Sequence, residues 1–274
     1  MIKKQAEGPC DGEARLQKRA QTVFLVLIIA LIGIFGPFTW ASVISVQDFL
    51  DKKPADYEWP SLIDFRWTLL AAAFWFSLDS LSAKFVTPIF TPFCKEQKDI
   101  EARTTRSLKA AKNFFKFTYY LSVDILAWHI LKDNYVLPPM LGGSGSFDNQ
   151  FKDYPYIRHP ELYQLYYMAT MGYHLSQLVH QIFVENWDKS DFLEMLLHHA
   201  VTVYLFGFSY MTNQWIGMPV AFLHNMGDVF ISWTRFWSET RLSPLTAVSM
   251  LVTVAVFFYT RIYVYNRIKI CFTP

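Results

Sequence analysis

DFLEMLLHHAVTVYLFGFSYMTNQWIGMPVAFLHNMGD, residues Asp191 to Asp228, decides the fold. It holds two apolar segments, each long enough to cross a bilayer, joined by a short polar turn at Asn213 and Gln214. A hydrocarbon core is spanned by about twenty apolar residues in a helix. Ionisable groups sit deep in both runs: His198 and His199 in the first, His224 and Asp228 in the second. At membrane depth a charged side chain costs roughly 2.5–3.5 kcal/mol or more, so such groups face a bundle interior or a wet cavity. Residues three and four apart share a helix face. Asp191, Glu194, His198 and Thr202 therefore form one polar stripe, and His224 and Asp228 another. A short turn makes the two helices antiparallel neighbours, with the stripes pointed at each other.

The rest of the chain fits this setting. Of 274 residues 53% are hydrophobic and only 18% charged, with positive mean hydropathy. Lipid offers no partner to open backbone groups, so spans are helices or closed barrels. The long apolar runs lack the ten-residue alternation of barrel strands, which selects an all-α multispanning membrane protein. Seven spans are expected: Thr22–Ser45, Trp67–Ile89, Asn113–Leu131, Glu161–Val184, Phe192–Thr212, Trp215–Trp237 and Pro244–Tyr265. Residues 1–21 read as a basic polar segment, 22–92 as a membrane hairpin, 93–112 as a basic loop, 113–265 as a helical domain and 266–274 as a tail.

Lys and Arg crowd the N-terminus and the segment from Lys95 to Lys112, which places both on the cytosolic or matrix side. That segment also suits an anionic head group, although a topology signal is the plainer reading. A net charge of +2 gives no sign of nucleic-acid binding. Cys10, Cys94 and Cys271 show neither metal spacing nor a disulfide framework.

Further polar stripes point to a shared chamber. Tyr166, Thr170, Tyr173, Gln177 and Gln181 line one face of the fourth span, and Tyr120, Asp124 and Trp128 one face of the third. Interfacial anchoring and helix–helix hydrogen bonding are the plainer roles for each residue alone. Imidazoles in such a chamber suit acyl transfer: each can be base or nucleophile near neutral pH, and a carboxylate one turn away can hold its tautomer. Glu194 and Asp228 stand one turn from His198 and His224. Structural histidines, hydrogen-bonded across helices, are the alternative. The seven histidines make neither HxxxH nor HxxHH, and the adjacent His198 and His199 diverge by about 100° around a helix. No metal is expected on that ground.

The run DFLEML-HH-xxT through Phe208-Ser209 and Asn213, followed by Gly217, Leu223-His224 and Asp228, resembles the signature of ceramide synthases, members of the TLC family. The flanks agree: KFTYY at Lys116–Tyr120 is similar to the family's first helix, and Tyr154–Tyr167 to the approach to its second. The resemblance covers Lys109 to Arg267. It implies a TLC-type helical bundle in the endoplasmic reticulum membrane; the mitochondrial inner membrane is the alternative address. It implies N-acylation of a sphingoid base from fatty acyl-CoA, a co-substrate rather than a bound cofactor. His198 and His199 carry over as catalytic, with His224 and Asp228 completing the site. Asp191, Glu194, Thr202 and Asn225 support it; Asp124, Tyr166, Tyr173 and Gln177 line the cavity.

The sequence departs from the family in three places. The family's His-Asp pair is His224-Asn225 here, and an amide cannot serve as a base. Ile231, Ser232 and Trp233 replace charged residues after the motif, with Arg235 nearby. Five helices are expected from Asn113 onward where the family has six. These departures support a second expectation, a catalytically silent, lipid-binding subunit of a larger membrane complex.

Overall fold

The computed structural model describes residues 11–95, 99–185 and 191–264. Seven α-helices make up the chain among them: α1 (Asp11–Asp51), α2 (Phe65–Phe90), α3 (Ile100–Leu131), α4 (Leu162–Phe183), α5 (Phe192–Met211), α6 (Gly217–Glu239) and α7 (Ser243–Phe257), the last continuing into a π-helical turn, Phe258–Val264. The all-α expectation is met. Three helical stretches are long and apolar enough to cross a bilayer by themselves: Leu62–Phe90, Phe192–Met211 and Ser243–Val264. α3, α4 and α6 carry the polar stripes, which lower their hydropathy. They also supply most of the bundle's buried core. Cys10, Cys271, Lys98 and the expected tail 266–274 lie outside the described residues.

Two expected boundaries move. The basic loop is helical from Ile100 onward, because Asp99 caps the first turn by accepting from the Glu101 amide and Lys and Arg are good helix formers. Likewise α1 begins at Asp11, ahead of the expected span. At 41 residues it is about 60 Å long, twice the hydrocarbon core, so it extends beyond the bilayer. Hydropathy finds only the lipid-embedded part of such helices.

The expected hairpin of the first two spans is also rearranged. α2 packs chiefly on α4 and α3, while α1 reaches α5, where the Thr39 and Tyr204 hydroxyls are 2.6 Å apart. Small residues permit the α2–α4 contact. A Cβ on Gly172 would lie 2.5 Å from the Ala71 methyl and 2.9 Å from the Thr68 carbonyl oxygen. Such close approach is how helices associate in lipid. α6 packs on α3 and α7, α5 on α4. α5 and α6 share few contacts, with Ser209 meeting Gly217 beside the turn. The two helices joined by the Asn213 turn thus diverge, with a gap between them.

The ends of the bundle differ. On the basic side, Arg106 pairs with Glu239 at 3.3 Å and Arg241 Nε donates to the Cys94 carbonyl at 3.0 Å, tying α3 and the α2–α3 connection to the end of α6. On the opposite side Asn213 is fully buried with a left-handed φ of 58°, a conformation asparagine tolerates. Its Nδ2 donates to the Tyr57 hydroxyl at 2.5 Å and to the Pro155 carbonyl at 2.6 Å. Its Oδ1 accepts from His159 Nε2 at 2.7 Å. With Oδ1 as acceptor, His159 carries its proton on Nε2. Burial lowers the His159 pKa from 6.5 to about 4, against the pull of Asn213, and the ring stacks on Tyr163 with centroids 3.6 Å apart. Burial pushes Tyr57 up.

Candidate functional site

The first half of the site is a histidine cluster between α4 and α5. His199 is buried on α5 and His174 on α4, with their Nδ1 atoms 3.4 Å apart. His198, the exposed neighbour, brings its ring centroid to 5.2 Å from His199 and 6.2 Å from His174. One nitrogen from each of the three rings lies within 4.8 Å of the others. Adjacent residues on α5 diverge, but the third ring comes from a neighbouring helix and fills the angle between them.

The second half lies on α3, α6 and the end of α7. Arg261 Nη1 donates to His224 Nε2 at 2.6 Å. Arginine offers no acceptor, so His224 presents a lone pair there and that nitrogen is engaged. Asp228 on α6 faces His198 across the gap, and also Arg261, Lys116 and Arg235. Asn225 is buried and faces Asp124. Among the described residues Asp124 Oδ1, Asn225 Nδ2 and the hydroxyls of Tyr119, Tyr166, Thr170 and Tyr173 are buried without a well-formed hydrogen bond. Tyr119 and Tyr173 stack at 3.5 Å under the edge of Trp75. Buried polar atoms are normally paired, so this concentration in one interior marks a surface suited to a polar ligand.

The structure brings some residues of the expected stripes near one another and separates others. His198 adjoins His199 and faces Asp228, and Tyr166, Tyr173, Asp124 and Asn225 are buried. Gln177 is half-buried on the same helix, and Gln181 instead donates to the Phe192 carbonyl. The carboxylate partners are exchanged. Asp191 and Glu194 are exposed, and among the described residues no hydrogen bond joins Glu194 to His198. Asp228 faces His198, while His224 is held by Arg261. Thr202 donates to the His198 carbonyl at 2.6 Å, so its hydroxyl serves its own helix. Trp128 leaves the chamber; it is 40% exposed, with Lys132 5.3 Å above its ring.

Three site residues escaped the reading of stripes. His174 lies four residues after Thr170 and three before Gln177, so it shares their face. Arg261 is a cation in an apolar span, a signal in its own right. Lys116 faces Asp79 and Asp228 and belongs to the interior, although it starts the KFTYY segment.

Relatives share this part of the chain. Ceramide synthase hyl-1 of Caenorhabditis elegans is 26% identical over 133 residues, which is 47% of this chain and 33% of that protein. ASC1-like protein 3 of Oryza sativa subsp. japonica is 30% identical over 135 residues, 48% of this chain and 44% of that one. Sphingosine N-acyltransferase lac1 of Schizosaccharomyces pombe is 23% identical over 156 residues, 53% and 39% respectively. The chain thus matches less than half the length of each. The TLC-domain family profile matches residues 109–272, which takes in most of α3 and all of α4 to α7, with the histidine cluster, Asp228 and Arg261. This chain belongs to the TLC-domain family, as an integral membrane protein similar to ceramide synthases.

Proposed function

We propose that the chain is a ceramide-synthase-like N-acyltransferase that moves a fatty acyl group from coenzyme A to the amine of a sphingoid base. The observation that carries this reading is the cluster of His174, His198 and His199, with Asp228 facing His198, beside buried hydroxyls that lack partners among the described residues. The ammonium of the base first loses a proton to an imidazole. The free amine attacks the thioester carbonyl; the C–N bond forms, the attacking nitrogen gives up its second proton, the C–S bond breaks and the thiolate leaves with that proton, while the imidazolium releases the first proton to water. His198 is exposed to the gap and faces a carboxylate, so it is the assigned proton acceptor; His199, buried behind it, positions it or holds the acyl group. His224 is a positioning residue, because Arg261 engages its Nε2. Apolar α2, α5 and α7 are the lipid-facing walls, and the endoplasmic reticulum is the compartment this reading implies. No resident cofactor is required.

A second reading is favoured by Asn225 and by the His224–Arg261 contact, which leave His224 without a carboxylate at either place. It is a catalytically silent, lipid-binding subunit of a larger membrane complex. The two readings separate in one assay: membranes bearing the chain, fatty acyl-CoA and labelled sphinganine, beside an Asn225→Asp version. N-acyl product from the natural chain supports transfer. No product from either version overturns it, and co-purification with other subunits then supports the silent reading.

A further inference from the structure

We infer that His174, His198 and His199 form a three-imidazole site for a divalent transition-metal ion of the zinc type. The inference stands on geometry and holds whether or not the chamber transfers acyl groups. The Nδ1 atoms of His174 and His199 face each other at 3.4 Å. That is longer than the ~2.7–3.2 Å of an ordinary hydrogen bond. It matches the spacing a shared ion imposes: nitrogens bound to tetrahedral zinc at about 2.0–2.1 Å stand about 3.3–3.4 Å from one another. If neither Nδ1 carries a proton, two lone pairs oppose each other at this distance, and a cation satisfies both at once.

The third donor is within reach. A His198 nitrogen lies within 4.8 Å of the other two, and His198 is exposed, so its ring is free to swing inward. The groups are well placed for charge. Asp228 faces His198 and offsets a divalent cation that three neutral imidazoles leave uncompensated. Lys116 is the like charge facing His199, and it also faces Asp79 and Glu185. His224 and Arg261 face the cluster from α6 and the π-helical turn, with the Arg261 guanidinium directed onto His224 Nε2. Three imidazoles on two helices leave a fourth position open, the donor set of catalytic rather than structural zinc sites. Spacing within α5 alone could not reveal this site, because the angle between His198 and His199 is closed by a residue from α4.

The test uses the full chain purified in mild detergent, with zinc and cobalt(II) as the probes. The expected result is one zinc retained per chain and, on exchange, the intense visible bands of tetrahedral cobalt(II). His174→Ala and His199→Ala each weaken binding by more than ~10-fold, the loss that even an outer-shell partner causes. His129→Ala, on the exposed end of α3, leaves binding unchanged. His174→Cys retains the ion and adds a thiolate-to-cobalt charge-transfer band, which a purely structural histidine would not produce. A natural chain that is folded, retains no stoichiometric zinc and takes up no tetrahedral cobalt overturns the inference. So does binding that survives both alanine variants. The acyl-transfer reading is judged separately. An ion on His198 occupies the lone pair assigned to proton transfer, so zinc suppresses transfer and a chelator restores it. Stoichiometric zinc without suppression supports the metal site and removes His198 from the role of base.

Discussion

The turn around Asn213 and the interior around His199 are both buried, polar and rich in aromatic rings, yet they treat their polar atoms in opposite ways. At the turn, both side-chain ends of Asn213 are engaged, Tyr57 donates to the Ile157 carbonyl at 2.7 Å, and Trp215 Nε1 donates to Tyr135 at 3.1 Å. Among the described residues there, His159 Nδ1 and the Tyr163 hydroxyl lack partners. In the interior the hydroxyls of Tyr119, Tyr166, Thr170 and Tyr173 and the side-chain atoms of Asp124 and Asn225 go without. A satisfied polar network fixes a structure, whereas an unsatisfied one costs stability unless something else meets its needs. The first region is built to hold the helix ends; the second leaves polar groups open at the expense of stability, as a site for a polar ligand would.

The largest effect breaks the comparison on the chemical side. In the acyl-transfer reading His198→Ala removes the proton acceptor and lowers the rate by ~10²–10⁴-fold. His198 is exposed and its ring makes no hydrogen bond among the described residues, so the midpoint of thermal unfolding stays within a few degrees of the natural chain. Equal loss of stability and activity would mean that the interior is structural after all. Asn213→Ala is the converse. It removes the bonds Asn213 makes to the Tyr57 hydroxyl, the Pro155 carbonyl and His159 and forces alanine into a left-handed φ, at a cost of ~3 kcal/mol. Thermal unfolding in detergent measures it, and a cost below ~1 kcal/mol would show that the turn tolerates unpaired groups as the interior does.

These two substitutions also mark what one sequence discloses. Periodicity in Asp191–Asp228 is enough to place α5, the turn and α6, because apolar spacing is a local property. It is not enough to pair the side chains. Steps of four join Glu194 to His198 and Asp228 to His224, whereas packing gives His198 to Asp228 and His224 to Arg261. Which helix stands beside which is set by contacts such as Gly172 on Ala71, and no spacing within a helix encodes that. His174 was legible from its place on the Thr170–Gln177 face, yet its meaning depended on α5 lying opposite. Asn213 gave only a turn signal; its role as a hub rests on Tyr57, Pro155 and His159, all more than fifty residues earlier in the chain. Hydropathy misplaced the starts of α1 and α3 because basic residues end a span without ending a helix.

A change of pH sharpens the comparison without altering the chain. His159 has its pKa lowered from 6.5 to about 4 by burial. Between those values the unfolded chain binds the proton more readily than the folded one, so stability is lost as pH falls through that window. The slope is about 1.4 kcal/mol per pH unit and the total about 3 kcal/mol or less. Unfolding measured at about pH 7 and about pH 5 is expected to show the loss, and His159→Gln, which keeps a donor for Asn213, is expected to remove most of it. A pH dependence unchanged by that substitution would place the sensitive group elsewhere.

The smallest effect tests whether the basic end belongs with the turn or with ordinary surface. Arg106 and Glu239 pair at 3.3 Å with their side chains 34% and 19% exposed. A pair so placed gives up solvation on forming and is screened by salt, so Arg106→Ala should cost about 1 kcal/mol or less. The same substitution measured at high salt should cost less still. A larger, salt-independent cost would mean that α3 and α6 are clamped at the basic end as firmly as Asn213 clamps the other. The gap between α5 and α6 would then be fixed at both mouths, and in the acyl-transfer reading a two-tailed lipid product would have to leave sideways into the bilayer. With a weak pair, α6 can yield at the basic side, where a water-soluble thioester donor would also have to enter.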